Sequence, residues 1–119
     1  MLFRSARLSN LRAGETYSYR LCNRKNGAHS EVFNFTTAKQ GEGVKFLFVG
    51  DPQIGAGESV QQDGEAWKRT LEVGKHILPN AEFLISAGDQ SDSSKTDIAI
   101  EEYYEFRSPD ELKNIPVAV

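Results

Sequence analysis

Two short apolar runs, each followed by glycine and aspartate, constrain this chain more than any other feature. The runs cover residues 44–49 and 82–87; Gly50-Asp51 follows the first and Gly88-Asp89 follows the second. Nearly continuous apolar runs of this length are typical of parallel strands that are covered on both faces. The sequence therefore predicts two neighbouring parallel strands joined by a right-handed crossover.

A helix is predicted between these two strands. Asp63 is a good N-cap residue, and from there apolar residues recur at the three- and four-residue steps of one helix face until Pro79-Asn80 ends the pattern. A second helix is predicted between Asp97 and Phe106, and a third strand over residues 116–119. The order strand, helix, strand, helix, strand predicts the start of an α/β sandwich.

The first part of the chain has a different pattern. Apolar and polar residues alternate with the period of two of a strand over residues 16–21 and 31–37, and alternate more weakly over residues 4–11. Three antiparallel strands are the simplest interpretation, and three strands alone are at the edge of independent stability. The predicted division is a β part over residues 1–38, a glycine-containing linker over residues 39–43 and an α/β part over residues 44–119.

Composition narrows the function classes. The chain has 119 residues with 14 Lys plus Arg against 17 Asp plus Glu, and this net charge of −3 disfavours a binder of the nucleic-acid backbone. No run approaches the roughly 20 apolar residues that a membrane span requires. The single cysteine, Cys22, excludes an internal disulfide and a cysteine-rich zinc cluster.

The aspartates that follow the two buried strands predict a metal site. Ligand groups in open α/β sheets cluster beyond the carboxyl ends of the strands, and neighbouring strands lie about 4.8 Å apart, so Asp51 and Asp89 would be able to share a cation. Carboxylate oxygens suit hard or borderline divalent metals, and a metal pair bridged by such an aspartate is a common device for phosphoester hydrolysis. The alternative is that each aspartate only caps the turn after its strand.

From about residue 46 onward, the chain resembles the calcineurin-like metallophosphoesterase superfamily, whose motifs begin with Asp-x-His and Gly-Asp-x-x-Asp. Gly50-Asp51-Pro52-Gln53 stands at the first motif and Gly88-Asp89-Gln90-Ser91-Asp92 at the second. Residues 6–37 resemble the end of the fibronectin-like domain that precedes purple acid phosphatases. The whole chain thus resembles a purple acid phosphatase-like protein, with the last strands of a fibronectin type III-like domain before the start of a metallophosphoesterase αββα sandwich.

The resemblance implies a role for each polar residue of the two motifs. Asp51 would bind one metal, Asp89 would bridge two, and Asp92 would orient the site or cap a helix. Position 53 is glutamine where many family members have a metal-binding histidine, so Gln53 is either a weaker metal ligand or an outer hydrogen-bond donor. Asp92 stands where purple acid phosphatases have the tyrosine that binds ferric iron, which disfavours a ferric site.

The resemblance also implies metal-dependent hydrolysis of a phosphate ester, with two divalent or mixed-valence ions of iron, zinc or manganese. Because the chain stops within the apolar run of residues 116–119, before the family's later His and Asn motifs, we expect a fragment that binds metal poorly and is inactive alone. The first ten residues lack the apolar core of a signal peptide, whereas the habit of the family implies a secreted or cell-surface parent protein. A catalytically degenerate extracellular binding or scaffold module is the alternative, and Gln53 favours it.

Other polar features are interpreted as ordinary structure. Gly55-Ala56-Gly57 lacks the Gly-Lys-Ser/Thr of a phosphate-binding loop, so we predict a flexible loop beside the site. The acidic side chains of Glu101-Glu102 and Glu105 are predicted to form a solvated helix face rather than a metal site.

Overall fold

A computed structural model describes residues 6–41 and 43–119 of the chain. Its elements are β1 (Thr16–Tyr19), β2 (Phe33–Thr36), β3 (Phe46–Val49), α1 (Val60–Ile77), β4 (Phe83–Ser86), α2 (Thr96–Arg107), a 3₁₀ helix (Asp110–Lys113) and β5 (Val117–Ala118). β1 and β2 form an antiparallel pair, whereas β3, β4 and β5 form a parallel sheet in that order. The described chain is therefore a β hairpin followed by a small α/β arrangement.

The predicted order of strand, helix, strand, helix, strand is confirmed for residues 44–119. β3 and β4 are hydrogen-bonded neighbours in which Phe46 pairs with Phe83 and Val49 pairs with Ser86. Because neighbouring parallel strands end at the same edge of their sheet, the residues that follow β3 and β4 emerge together. This register brings the two Gly-Asp dipeptides to one edge.

The prediction that the strands are covered on both faces is wrong for β3. Leu47 and Val49 pack against the core formed with the helices, whereas Phe46 and Phe48 are 43% and 65% exposed. Phe46 stacks on Phe83 of β4 with the ring centroids 5.2 Å apart. Successive side chains of a strand point to opposite faces, and among the described residues the helices cover only one of them, so β3 alternates between half-buried and exposed positions.

The buried core lies between the covered sheet face and the helices. It comprises Ile54, Trp67, Leu71, Leu84, Phe106 and Leu112. The indole of Trp67 stacks on Phe106 with the ring centroids 5.4 Å apart, and its Nε1–H donates to the Phe106 carbonyl oxygen over 2.9 Å. One side chain thus joins α1 to α2 and satisfies a carbonyl group near the C-terminus of α2.

Helix α1 begins earlier than predicted. Its N-cap is Ser59, whose Oγ accepts from the Gln62 N–H over 3.2 Å, so Asp63 lies in the first turn of the helix. Serine and aspartate are both good N-cap residues, and the Ser-x-x-Gln spacing of residues 59–62 matches the sequence pattern that identifies the true start. The second helix is confirmed with one additional residue at each end.

The strand predicted over residues 4–11 does not form where the structure describes that segment. Residues 6–11 are in neither a helix nor a strand, whereas Arg4 and Ser5, like Glu42 of the predicted linker, lie outside the described residues. Asn10 has a φ of 60°, in the left-handed region, which turns the chain out of an extended path. Alternation alone was misleading here because a strand also requires a neighbouring strand with which to pair.

The hairpin contacts the α/β part beside the 3₁₀ helix. The Tyr19 hydroxyl donates to the Lys113 carbonyl oxygen over 2.8 Å, and the Asn34 N–H donates to Asn114 Oδ1 over 3.3 Å. The Lys113 Nζ lies 5.8 Å from the centroid of the Phe33 ring, within the range of a cation–π contact. Polar and aromatic contacts therefore join the two parts of the chain.

We expect Tyr19→Phe to lower the free energy of unfolding by about 1 kcal/mol, because it removes the donor to a part-buried carbonyl group. The control is Tyr104→Phe, since Tyr104 is 65% exposed and its variant is expected to stay within about 0.5 kcal/mol of the unsubstituted chain. Urea unfolding followed by tryptophan fluorescence and circular dichroism measures both. Equal losses in the two variants would contradict a stabilising contact at Tyr19.

Candidate functional site

The candidate site is formed by the loops that follow β3 and β4, the first loop (residues 50–58) and the second loop (residues 87–95). The two loops continue side by side beyond the ends of their strands. Three backbone hydrogen bonds join them, from Gln53 N–H to the Asp89 carbonyl oxygen (2.8 Å), from Ile54 N–H to Gln90 (3.2 Å) and from Asp92 N–H to Ile54 (3.0 Å). Because Ile54 is fully buried, this contact between the loops is anchored in the core.

Two of the predicted site residues have left-handed backbones. Gln53 and Asp89 both have a φ of 42°, and among the described residues Asn10 is the only other non-glycine residue with a positive φ. Such a conformation costs on the order of 1–3 kcal/mol and persists where the surrounding structure imposes it, often at functional sites. The strained residues are also partners in the hydrogen bond from Gln53 N–H to Asp89, so the strain is concentrated where the two loops meet.

The structure places the predicted residues in two neighbouring groups. Asp51 and Gln53 line an open depression of about 520 Å³ between the first loop and the N-terminal half of α1, together with Asp63. Asp89 lies in the adjacent loop, outside the lining of that depression, and contacts Gln53 through its backbone. The side chains of Asp51, Gln53 and Asp89 are all exposed and therefore accessible to a ligand.

Asp92 lies further along the second loop. Its N–H donates to the Ile54 carbonyl oxygen, and its side chain is exposed. The N-cap of α2 is Lys95, so Asp92 does not cap that helix. Of the two roles predicted for Asp92, orientation of the site is the one that the structure leaves open.

The predicted site residues offer oxygen donors only. Asp51 and Asp89 offer carboxylate oxygens and Gln53 offers an amide oxygen, and these donors suit hard or borderline divalent ions. Within residues 6–41 and 43–119, no group of three or more His, Cys, Asp or Glu residues is arranged to hold a metal ion. Asp51 and Gln53 share one depression, whereas Asp89 adjoins Gln53 through the backbone hydrogen bond only.

The glycine-containing segment of the first loop, which was predicted to be a flexible loop, is hydrogen-bonded to α1. Asp63 Oδ2 accepts from the N–H groups of Gly55 and Gly57 over 2.9 and 3.0 Å. The Ala56 N–H donates to the Gln53 carbonyl oxygen over 3.0 Å and closes a turn. Asp63, which sequence reasoning assigned to helix capping, instead fixes the loop that contains Gln53.

The prediction of a solvated acidic face on α2 is wrong for Glu102. This side chain is 3% exposed, and its Oε2 accepts from the Ser93 N–H of the second loop over 2.9 Å. Glu101 is exposed, as predicted, and Glu105 is half-buried. Glu102 lies one helical turn before the buried Phe106, and this spacing was the sequence signal that placed it on the inner face of α2.

Glu102 also contacts the first loop. Its carboxylate fills the space beside the Cα of Gly55, where a Cβ would clash with Oε1. Gly55 has a φ of 105°, in a region that strongly favours glycine, so both the backbone and the neighbouring carboxylate require glycine here.

Comparisons of the chain with protein-family models, with curated proteins and with solved structures found no significant match. Among the described residues, neither helix combines the length and apolar character that crossing a membrane requires. Functional inference therefore depends on the two loops and on the motifs that they contain.

We expect Asp63→Ala to lower the free energy of unfolding by about 2–3 kcal/mol, because it leaves two loop N–H groups without their charged acceptor. Amide exchange at Gly55 and Gly57 should accelerate in the same variant. Asp97→Ala is the matched control, since Asp97 also lies in the first turn of a helix but is exposed. If the two variants lost the same stability, the role of Asp63 would be limited to its interaction with the helix dipole.

Proposed function

We propose that this chain supplies the first two metal-binding loops of a metal-dependent phosphoesterase that resembles purple acid phosphatases. The observation that supports this most directly is the contact between the two strained residues Gln53 and Asp89 at the shared edge of β3 and β4. It brings the Asp51–Gln53 motif and the Asp89–Asp92 motif side by side. If each aspartate only capped the turn after its own strand, the two loops would not need to bond to each other through residues with left-handed backbones.

In this proposal, Asp51 would hold one metal ion, and Asp89 would contribute to holding both ions of a pair of iron, zinc or manganese. Gln53 assists through its amide oxygen, which binds a borderline ion more weakly than imidazole does. When bound, such a metal pair supplies a nucleophile at neutral pH and neutralises charge on the phosphoryl group. The chain's own contribution is to hold the three oxygen donors on neighbouring loops and to leave an open depression beside Asp51 for a phosphate ester.

The hairpin supports the fibronectin-like part of the proposal. The Tyr17 hydroxyl accepts from the Arg12 N–H over 2.8 Å, five residues upstream, as the tyrosine corner of β-sandwich domains does. Tyr17 also stacks on Phe35 of the paired strand, with the ring centroids 5.7 Å apart. Since this domain type precedes the catalytic domain in purple acid phosphatases, we propose an exported two-module parent protein.

Metal binding by this chain is testable with Mn²⁺, whose unpaired electrons broaden the NMR signals of nearby nuclei even when binding is weak. We expect Mn²⁺ to broaden the amide signals of Asp51, Gln53 and Asp89 selectively. Asp51→Asn and Asp89→Asn should each reduce this broadening by about tenfold, because each removes an anionic oxygen donor. Glu72→Gln is the control, since it makes the same charge change at an exposed position of α1 and should have no effect.

Uniform weak broadening over all acidic residues, or equal effects of Asp89→Asn and Glu72→Gln, would contradict a metal site at this edge. The same result would favour the alternative of a degenerate binding or scaffold module.

Catalysis is tested in the full-length parent protein, with a chromogenic phosphate monoester as substrate. We expect Asp89→Asn to reduce kcat/KM by about 100-fold or more, because transition-state charge stabilisation by a metal pair contributes several kcal/mol. Glu72→Gln should retain the unsubstituted rate. Full activity of the Asp89→Asn enzyme would remove Asp89 from the mechanism.

A further inference from the structure

Glu102 is an acidic residue in an unusual position. It is 3% exposed on the inner face of α2, although burial of a carboxylate is costly unless hydrogen bonds compensate. Its Oε2 accepts the Ser93 N–H of the second loop, and the rest of its carboxylate packs on Gly55 of the first loop. A single buried side chain therefore contacts both loops of the candidate site.

These contacts lie close to the residues that form the site. Gly55 is two residues after Gln53, and Ser93 is four residues after Asp89. Asp63 also holds Gly55 by accepting its N–H, so Gly55 contacts two carboxylates. If Glu102 were absent, the first loop would lose its support on one side and the second loop would lose a backbone hydrogen-bond acceptor.

We propose that Glu102 is a positioning residue that fixes the first and second loops relative to each other, and so sets the separation of Asp51 and Gln53 from Asp89. It acts through volume and through one accepted hydrogen bond, without touching the metal or the substrate. Its effect on metal binding depends on the function proposed above, whereas its effect on the loops does not.

The decisive variants separate geometry from charge. Glu102→Gln keeps the side-chain volume and an acceptor oxygen but removes the charge. Glu102→Ala removes the volume, the acceptor oxygen and the charge. Glu101→Ala is the control, since it removes one charge from the neighbouring, exposed position of the same helix. All variants are compared at a temperature at which circular dichroism shows each of them to be fully folded.

The first measurement is amide hydrogen exchange without metal. We expect Glu102→Ala to accelerate exchange at Ser93 by about tenfold or more, because the acceptor of that amide is lost. Glu102→Gln and Glu101→Ala should stay within about twofold of the unsubstituted chain, and the Phe35 amide in the hairpin is the internal reference. Unchanged exchange at Ser93 in Glu102→Ala would overturn the proposal, whatever the outcome with metal.

The second measurement is the apparent Mn²⁺ affinity from amide line broadening at Asp51 and Asp89. We expect about a tenfold loss in Glu102→Ala, comparable to the loss of an outer partner of a metal site, and recovery to within about twofold in Glu102→Gln. An equal loss in the Ala and Gln variants would show that charge acts instead of position, and would overturn the proposal. If the unsubstituted chain bound no Mn²⁺, the proposed function would fail, and the exchange measurement would still decide the role of Glu102.

Discussion

The in-register pairing of β3 with β4 is the constraint on which the rest of the candidate site depends. Strand pairing normally ends where the chain turns. Here it extends into the loops, because Gln53 donates its N–H to the second loop and Ile54 both donates to and accepts from that loop. The buried side chain of Ile54 ties this continuation to the core. A shift of one residue in the register would move Ile54 out of the core and separate Gln53 from Asp89, so the geometry of the loops is determined by the packing of the sheet.

The acidic residues near this edge fall into two groups with different surroundings. Asp51, Asp89 and Asp92 are exposed, whereas Asp63 and Glu102 are less accessible and accept backbone N–H groups of the loops. A carboxylate whose lone pairs already accept backbone hydrogen bonds is a poor candidate for a metal ligand, because ligation would leave those N–H groups without partners. The exposed aspartates therefore remain available for a ligand, while Asp63 and Glu102 support the loops.

Sequence patterns predicted the α/β part well because its strands and helices follow strong local signals. The apolar runs before Gly50 and Gly88 predicted β3, β4 and the edge at which the site lies, and the alternation over residues 16–21 predicted β1. The failures involve partners that are distant in sequence. In the part of the chain that the structure describes, residues 6–11 have no neighbouring strand, and Phe48 is exposed because the helices cover one face of the sheet only. Glu102 is buried because α2 packs on α1 and contacts both loops.

Energetic magnitudes indicate how the strained loops persist without help from a ligand. Two left-handed non-glycine residues cost on the order of 1–3 kcal/mol each. Against this, each hydrogen bond to a charged group contributes about 1.5–3 kcal/mol, and Asp63 accepts two of them while Glu102 accepts a third. Three such bonds total about 4.5–9 kcal/mol against about 2–6 kcal/mol of strain, and the burial of Glu102 takes up part of the difference, so the protein's own carboxylates offset the strain at Gln53 and Asp89. A metal ion that binds at this edge would bind to loops that are already ordered, so its binding free energy would not be reduced by the cost of ordering them. Under the proposed function, such preorganisation would offset part of the affinity that an amide oxygen loses relative to imidazole at the position of Gln53.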